Sequence, residues 1–235
     1  MTRAHPSWKP LLEAAYQALS PQYRAFLEAQ EGYFPTHFLA AFSSLSRQGT
    51  RAILFGQDPY PRYESAIGYA FIDGAVKGLF SPSGFSKPVN RATSLRNFLK
   101  MQLLSQGLLH PETLSQEAIA KVDKRGLIET MEELRANFER AGILLLNTAL
   151  VFTCKEETSY HVKAFKPFMQ VLLEGLSQEN KELILFGNLA KDVEKLLPSY
   201  HAYTLVKTQH PYNIGFIHDA KVQAYFGPKC LLNKA

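Results

Sequence analysis

The chain has 235 residues, 46% of them hydrophobic and 20% charged, which suits one well-buried globular domain. No apolar run approaches the ~18 residues of a membrane span, and the opening segment Met1-Thr2-Arg3-Ala4-His5-Pro6 lacks the apolar stretch of a secretory signal. A cytoplasmic protein with no membrane partner is therefore expected, and a net charge of +5 with a pI near 9.1 permits a polyanionic partner such as DNA without demanding one.

Residues 8–31 carry helical spacing: Leu11, Leu12, Ala15 and Leu19, then Tyr23, Phe26 and Leu27 after a break at Pro21. The first 50 residues thus read as an N-terminal helical part. Residues 51–55 form a short apolar run that reads as a buried strand, and it breaks at Gly56 into the polar, proline-stiffened turn Gln57-Asp58-Pro59-Tyr60. Residues 74–90 are rich in Gly, Pro and Ser and read as a long loop. Helical patterns follow at 93–106, 115–122, 129–140, 165–178 and 189–197, with Pro167 expected in the first turn of the fourth, where proline is tolerated. Further strands are expected at 142–147, 182–186 and 202–207.

Short continuous apolar strands separated by helices are the pattern of βαβ units. The expected fold class is α/β, a three-layer α/β/α sandwich with a central four-stranded parallel sheet, as a single domain spanning 1–235. Cys154 and Cys230 are far apart in sequence and lack metal-ligand spacing, so they read as reduced thiols, and an iron-sulfur cluster needing four is not expected.

In open α/β sheets ligands bind beyond the carboxyl ends of the strands. Parallel strands would bring Asp58, Asn147, Asn188 and His210 to one edge. Each residue alone has an ordinary reading: Asp58 and Pro59 are turn residues, Asn147 a strand-end residue, Ser94 a helix N-cap, Phe71 a core aromatic and Ile214 a buried aliphatic. A lone His210 before a proline is an ordinary loop histidine. Their order and shared edge carry the functional reading.

Gly56-Gln57-Asp58-Pro59-Tyr60, Gly68-Tyr69-Ala70-Phe71, Leu144-Leu145-Leu146-Asn147-Thr148 and His210-Pro211 resemble, in order, the signature motifs of uracil-DNA glycosylases. The likeness is to the uracil-selective branch whose first motif is GQDPY. Ser94-Leu95-Arg96-Asn97 resembles that family's serine-leucine helix start, Phe186-Gly187-Asn188 its glycine-serine turn, and 159–165, much diverged, its SHKERGW segment.

The resemblance implies a monofunctional DNA-repair hydrolase that flips uracil out of DNA and breaks its N-glycosidic bond with water, using no cofactor and no metal. It assigns catalysis to Asp58 and His210 and base binding to Gln57, Tyr60, Phe71 and Asn147. DNA-backbone contacts fall to Pro59, Ser94, Asn188 and Pro211, and the wedge that enters the vacated stack to Ile214. It further implies a monomer acting on single- or double-stranded uracil-containing DNA, with a proteinaceous glycosylase inhibitor as a further partner. The alternatives are a silent DNA- or altered-base-binding protein on the same scaffold and a nucleoside hydrolase.

The chain departs from the family where Pro61-Arg62 follow Tyr60, where the proline-rich loop is thin, and where the His-Pro element continues Tyr212-Asn213-Ile214-Gly215. These changes fall on backbone grip and intercalation, so altered hold on duplex DNA is expected. Residues 96–141 read as an expanded helical insertion, a surface elaboration.

Overall fold

A computed structural model describes residues 3–234; Met1 and Thr2 of the opening segment lie outside the described residues. The chain begins with α1 (Lys9–Gln17), α2 (Pro21–Ala29) and β1 (Ala52–Gly56). Then come β2 (Phe80–Ser81), β3 (Gly84–Phe85), α3 (Lys87–Arg91), α4 (Thr93–Ser105), α5 (Gln116–Lys121) and α6 (Met131–Arg140). After β4 (Ile143–Asn147) follow α7 (Thr158–Leu176), β5 (Glu182–Phe186), α8 (Leu189–Glu194), β6 (Thr204–Thr208) and α9 (Ala220–Phe226). Two compact units result: Met1–Asp73 with Gly142–Lys207, and Gly74–Ala141 with Thr208–Ala235.

The first unit is built on a four-stranded parallel sheet flanked by helices, with strand order β4-β1-β5-β6. β1 pairs in parallel with β4 on one side and β5 on the other, and Gly56 lies opposite Asn147. Such a sheet must be apolar on both faces. Ile53, Phe55, Leu146 and Leu185 join a core with α1, α2 and α7, while Leu54, Leu145 and Ile184 on the opposite face are also buried. The expected strands are all present, with ends shifted by at most two residues.

Helix α7 is longer than its sequence pattern suggested. It starts at Thr158 rather than 165, so Pro167 lies in its middle, not in its first turn. A mid-helix proline removes one backbone bond and crowds the preceding turn. The buried stripe Phe165, Phe168, Met169, Leu172 and Leu176 has helical spacing, and its burial holds the helix together across that defect. No described helix is long and apolar enough to cross a membrane.

The second unit corrects two expectations. Residues 74–90 are not a bare loop: β2 and β3 form a small antiparallel hairpin with Phe80 opposite Phe85, followed by α3, whose N-cap Ser86 accepts from the Val89 N–H. Gln116 Oε1 ties the hairpin down by accepting from the Phe85 N–H at 2.8 Å. The stretch 96–141 is no surface elaboration either. Phe98 packs edge-on to Phe226 of α9 at 5.2 Å and tilted on Phe138 of α6 at 5.7 Å, and all three rings are fully buried. Polar residues on α5 and α6 mask that burial in the sequence.

Phe168→Ala, which empties a fully buried site in α7, is expected to cost about 3–5 kcal/mol, measured by urea denaturation.

Candidate active site

The carboxyl end of β1 is organised by an atom that is absent. A Cβ built on Gly56 would stand 2.2 Å from Asn147 Oδ1 and 3.0 Å from the Ala70 Cβ. Only glycine therefore lets the Asn147 amide lie across the strand end while residue 70 packs behind it. Ala70 is held there by its N–H donating to the Leu145 carbonyl at 3.2 Å. Beyond the strands the parallel pairing continues. The Thr148 N–H donates to Gly56 O at 2.9 Å, the Ala149 N–H to Gln57 O at 2.8 Å, and Thr148 Oγ1 to the same Gln57 carbonyl at 2.8 Å. The three motifs read separately in the sequence meet at this point.

From that anchored backbone the exposed Gln57 and the half-buried Asp58 project. Asp58 Oδ2 accepts a hydrogen bond from Thr158 Oγ1, in the first turn of α7, at 3.1 Å. Burial raises the carboxyl pKa above its ordinary value, and the Thr158 bond partly opposes that shift. Asp58 is thus a carboxylate poised toward protonation and steadied by one donor. Pro59 is buried and Tyr60 half-buried. Burial, reinforced by the Asp73 charge, holds the Tyr60 phenol well above its usual range, so it stays neutral.

The Tyr60 hydroxyl donates to the Phe71 carbonyl at 3.4 Å. Phe71 has φ +67° and Gly68, at the head of the same loop, φ +88°. A bulky residue in the left-handed region costs free energy and persists only where its surroundings dictate it. The strain fixes where the half-buried Phe71 ring is presented. Asn147 is 5% exposed, so its amide is largely withdrawn from solvent. Asn188 is exposed at the N-cap position of α8, where its side chain makes no capping bond.

The remaining predicted residues belong to the second unit. Ser94 lies one residue inside α4, whose N-cap is Ala92; Ser94 is therefore a first-turn residue rather than the cap. His210 Nδ1 accepts from the Tyr212 N–H at 3.0 Å, so the neutral ring carries its proton on Nε2. Partial burial lowers the His210 pKa, favouring that neutral form even though its surface is exposed. The loop after it is pinned by Asn97 Nδ2, which donates to the Pro211 carbonyl at 2.8 Å and the Tyr212 carbonyl at 3.3 Å. At its far end Ile214 is 67% exposed, contrary to the ordinary expectation for an isoleucine.

In the first unit Gln57, Asp58, Tyr60, Phe71 and Asn147 share one strand-end platform. Thr158, a hundred positions from Asp58, carries no signal in the sequence; Asn97 falls in the motif at the start of α4, but its bond to Pro211, 114 positions away, does not show there.

A family model described as the uracil DNA glycosylase superfamily matches residues 42–227. The chain belongs to that superfamily. A uracil-DNA glycosylase of Amoebophilus asiaticus is 28% identical over 214 residues, covering 88% of this chain and 83% of its own length. One from Corynebacterium glutamicum is 25% identical over 203 residues, 82% of this chain and 75% of its own. The crystal structure of wild-type UNG from Nitratifractor salsuginis superposes with a TM-score of 0.95 at 51% identity, covering 99% of this chain and 94% of that one. The platform around Gly56 lies within the superfamily match.

Gly56→Ala is expected to displace the Asn147 amide and cost roughly 1–3 kcal/mol; denaturation and a crystal structure of the variant check both.

Proposed function

We infer that this chain is a uracil-DNA glycosylase, a DNA-repair hydrolase that removes uracil from DNA and leaves an abasic site. The observation that carries the reading is the partly desolvated Asp58 carboxylate, held by Thr158 on the same strand-end platform as the buried Asn147 amide. A non-catalytic binder would have no use for a carboxylate kept against its own desolvation cost.

The reaction breaks the bond between the sugar C1′ and uracil N1. The electron pair leaves with the base as a uracil anion, and water adds to the oxocarbenium-like sugar. Asp58 stabilises the developing positive charge and orients the water, as carboxylates do in glycoside hydrolysis. The neutral His210, protonated on Nε2, and Gln57 stabilise the oxygen of the departing anion. The Asn147 amide offers a donor and an acceptor to the O4/N3 edge of uracil, and cytosine reverses that pattern. Phe71 is the stacking surface for the extruded base, and Tyr60 the wall against the methyl group of thymine.

Extrusion costs a few kcal/mol. Pro59, Ser94, Asn188 and Pro211 hold the distorted backbone, and the exposed Ile214 enters the gap. The enzyme acts as a monomer on single- or double-stranded DNA and is open to a proteinaceous inhibitor of that DNA-binding surface.

The reading is tested by uracil excision from single-stranded and duplex oligonucleotides, with Asp58→Asn as control. Excision is expected to fall steeply in the variant with binding retained; a wild-type protein that binds but leaves uracil in place sinks the reading. The Asp58 pKa is raised in the fold, so the folded state favours the protonated form. Its contribution to stability is full below the unfolded value near 3.8 and is lost as pH rises through the folded value. Asp58→Asn should therefore raise Tm at neutral pH, with the gain vanishing below about pH 3.8. The acid limb of wild-type kcat/KM, which needs the carboxylate, should lie above the ordinary aspartate range.

Tyr60→Ala is expected to admit thymine, read as release of thymine from a T-containing oligonucleotide; unchanged selectivity removes Tyr60 as the wall.

A further inference from the structure

A second set of hydrogen bonds in the first unit ends one residue short of the Thr158–Asp58 bond. Tyr23, on α2, and His161, on α7, are both buried, 2% and 1% exposed. The Tyr23 hydroxyl lies 2.6 Å from His161 Nδ1, and His161 Nε2 lies 3.0 Å from Thr153 Oγ1. Thr153 in turn donates to Glu157 Oε2 in a very short bond. Donor chemistry allows one direction for the whole series. A carboxylate can only accept, so the Thr153 hydroxyl spends its proton on Glu157 and must accept from His161 Nε2–H. That leaves Nδ1 as an acceptor, filled by the Tyr23 O–H.

Burial lowers the His161 pKa despite the nearby Glu157 charge, consistent with this neutral tautomer. The ring is packed by Tyr23 at 5.9 Å, Phe26 at 5.8 Å and Tyr160 at 5.3 Å. It therefore has little freedom to leave the series.

The series begins on α2, passes through the loop after β4 at Thr153, and ends on Glu157, the residue that immediately precedes α7. The next residue is Thr158. A polar network that is fully satisfied and oriented fixes the backbone carrying it. Here that backbone is the first turn of α7, which carries the Thr158 hydroxyl that donates to Asp58.

We propose that Tyr23, His161, Thr153 and Glu157 form a positioning network that sets Thr158, and through it the Asp58 carboxylate, in line for the glycosidic bond. This rests on the glycosylase reading and extends it to residues that touch neither base nor DNA. Thr158 and His161 are positioning residues: neither meets the reacting atoms, and both act on where Asp58 points.

The experiment is a double-mutant cycle on uracil excision from a single-stranded oligonucleotide under saturating and limiting substrate. His161→Phe and Thr158→Val are each expected to lower kcat roughly ten- to a hundredfold, because small misplacement of a reacting group is that costly, while KM stays within about twofold. Thr158→Ser, which keeps the hydroxyl, should restore kcat. In the double variant the kcat loss should be no greater than for Thr158→Val alone, because His161 acts through that residue.

The proposal is overturned if the two losses multiply, if KM rises in step with the fall in kcat, or if Thr158→Ser fails to rescue. Where His161→Phe does not fold, Tyr23→Phe takes its place in the same cycle, since it removes only the first hydroxyl. A wild-type enzyme inactive on uracil overturns the glycosylase reading and this network with it; an active wild type without coupling overturns the network alone.

Discussion

The absence of a side chain at Gly56 is the constraint on which the first unit's site depends. Two neighbouring elements use the space a Cβ would fill: the Asn147 amide from β4 and Ala70 from the loop that presents Phe71. Because β1 lies between β4 and β5, the end of this interior strand is a place where neighbouring connections crowd together. Backbone bonds from Thr148 and Ala149 then extend the ladder to Gln57, leaving Asp58 as the first residue free of it. A rigid strand end followed by a short proline-stiffened turn is how a chain holds a carboxylate to within fractions of an ångström.

That rigidity is used against solvation. Asp58 is drawn partly out of water, which works against its ionised form, and Thr158 returns part of what burial removes. Tyr60 is kept neutral by its burial, and Phe71 is held in a left-handed conformation that an aromatic residue adopts only under compulsion. Three departures from local preference on one platform are what a preorganised site looks like, since stability is given up where geometry is needed. The helical core of α1, α2 and α7 bears the cost, with Phe165, Phe168, Leu172 and Leu176 fully buried.

The fold class and strands were legible because a parallel sheet writes itself as short, uninterrupted apolar runs. Residues 182–186 gave the β5 strand to the residue. The errors have equally physical causes. Pro167 looked like a helix start because propensity is local, whereas α7 is held by a stripe whose burial depends on the rest of the unit. The hairpin at 80–85 is too short to show an alternation, and 96–141 looked peripheral because its core side chains are scattered among polar ones. Ser94 was placed at a cap by its residue type, while Ala92 holds that position without a capping side chain.

The sequence by itself supplied the candidate residues and their order, Asp58, Phe71 and Asn147 in the first unit and His210 in the second, because reaction chemistry constrains identity and strand ends constrain position. Tertiary structure decided what those residues are attached to. The Thr158 bond to Asp58, the Asn97 bonds to the carbonyls after His210 and the His210 tautomer all depend on pairs of atoms brought within about 3 Å from positions two to over a hundred residues apart. Periodicity and spacing report which face a residue occupies; they hold no information about which distant donor will reach it, and that is set only when the packed core fixes both ends.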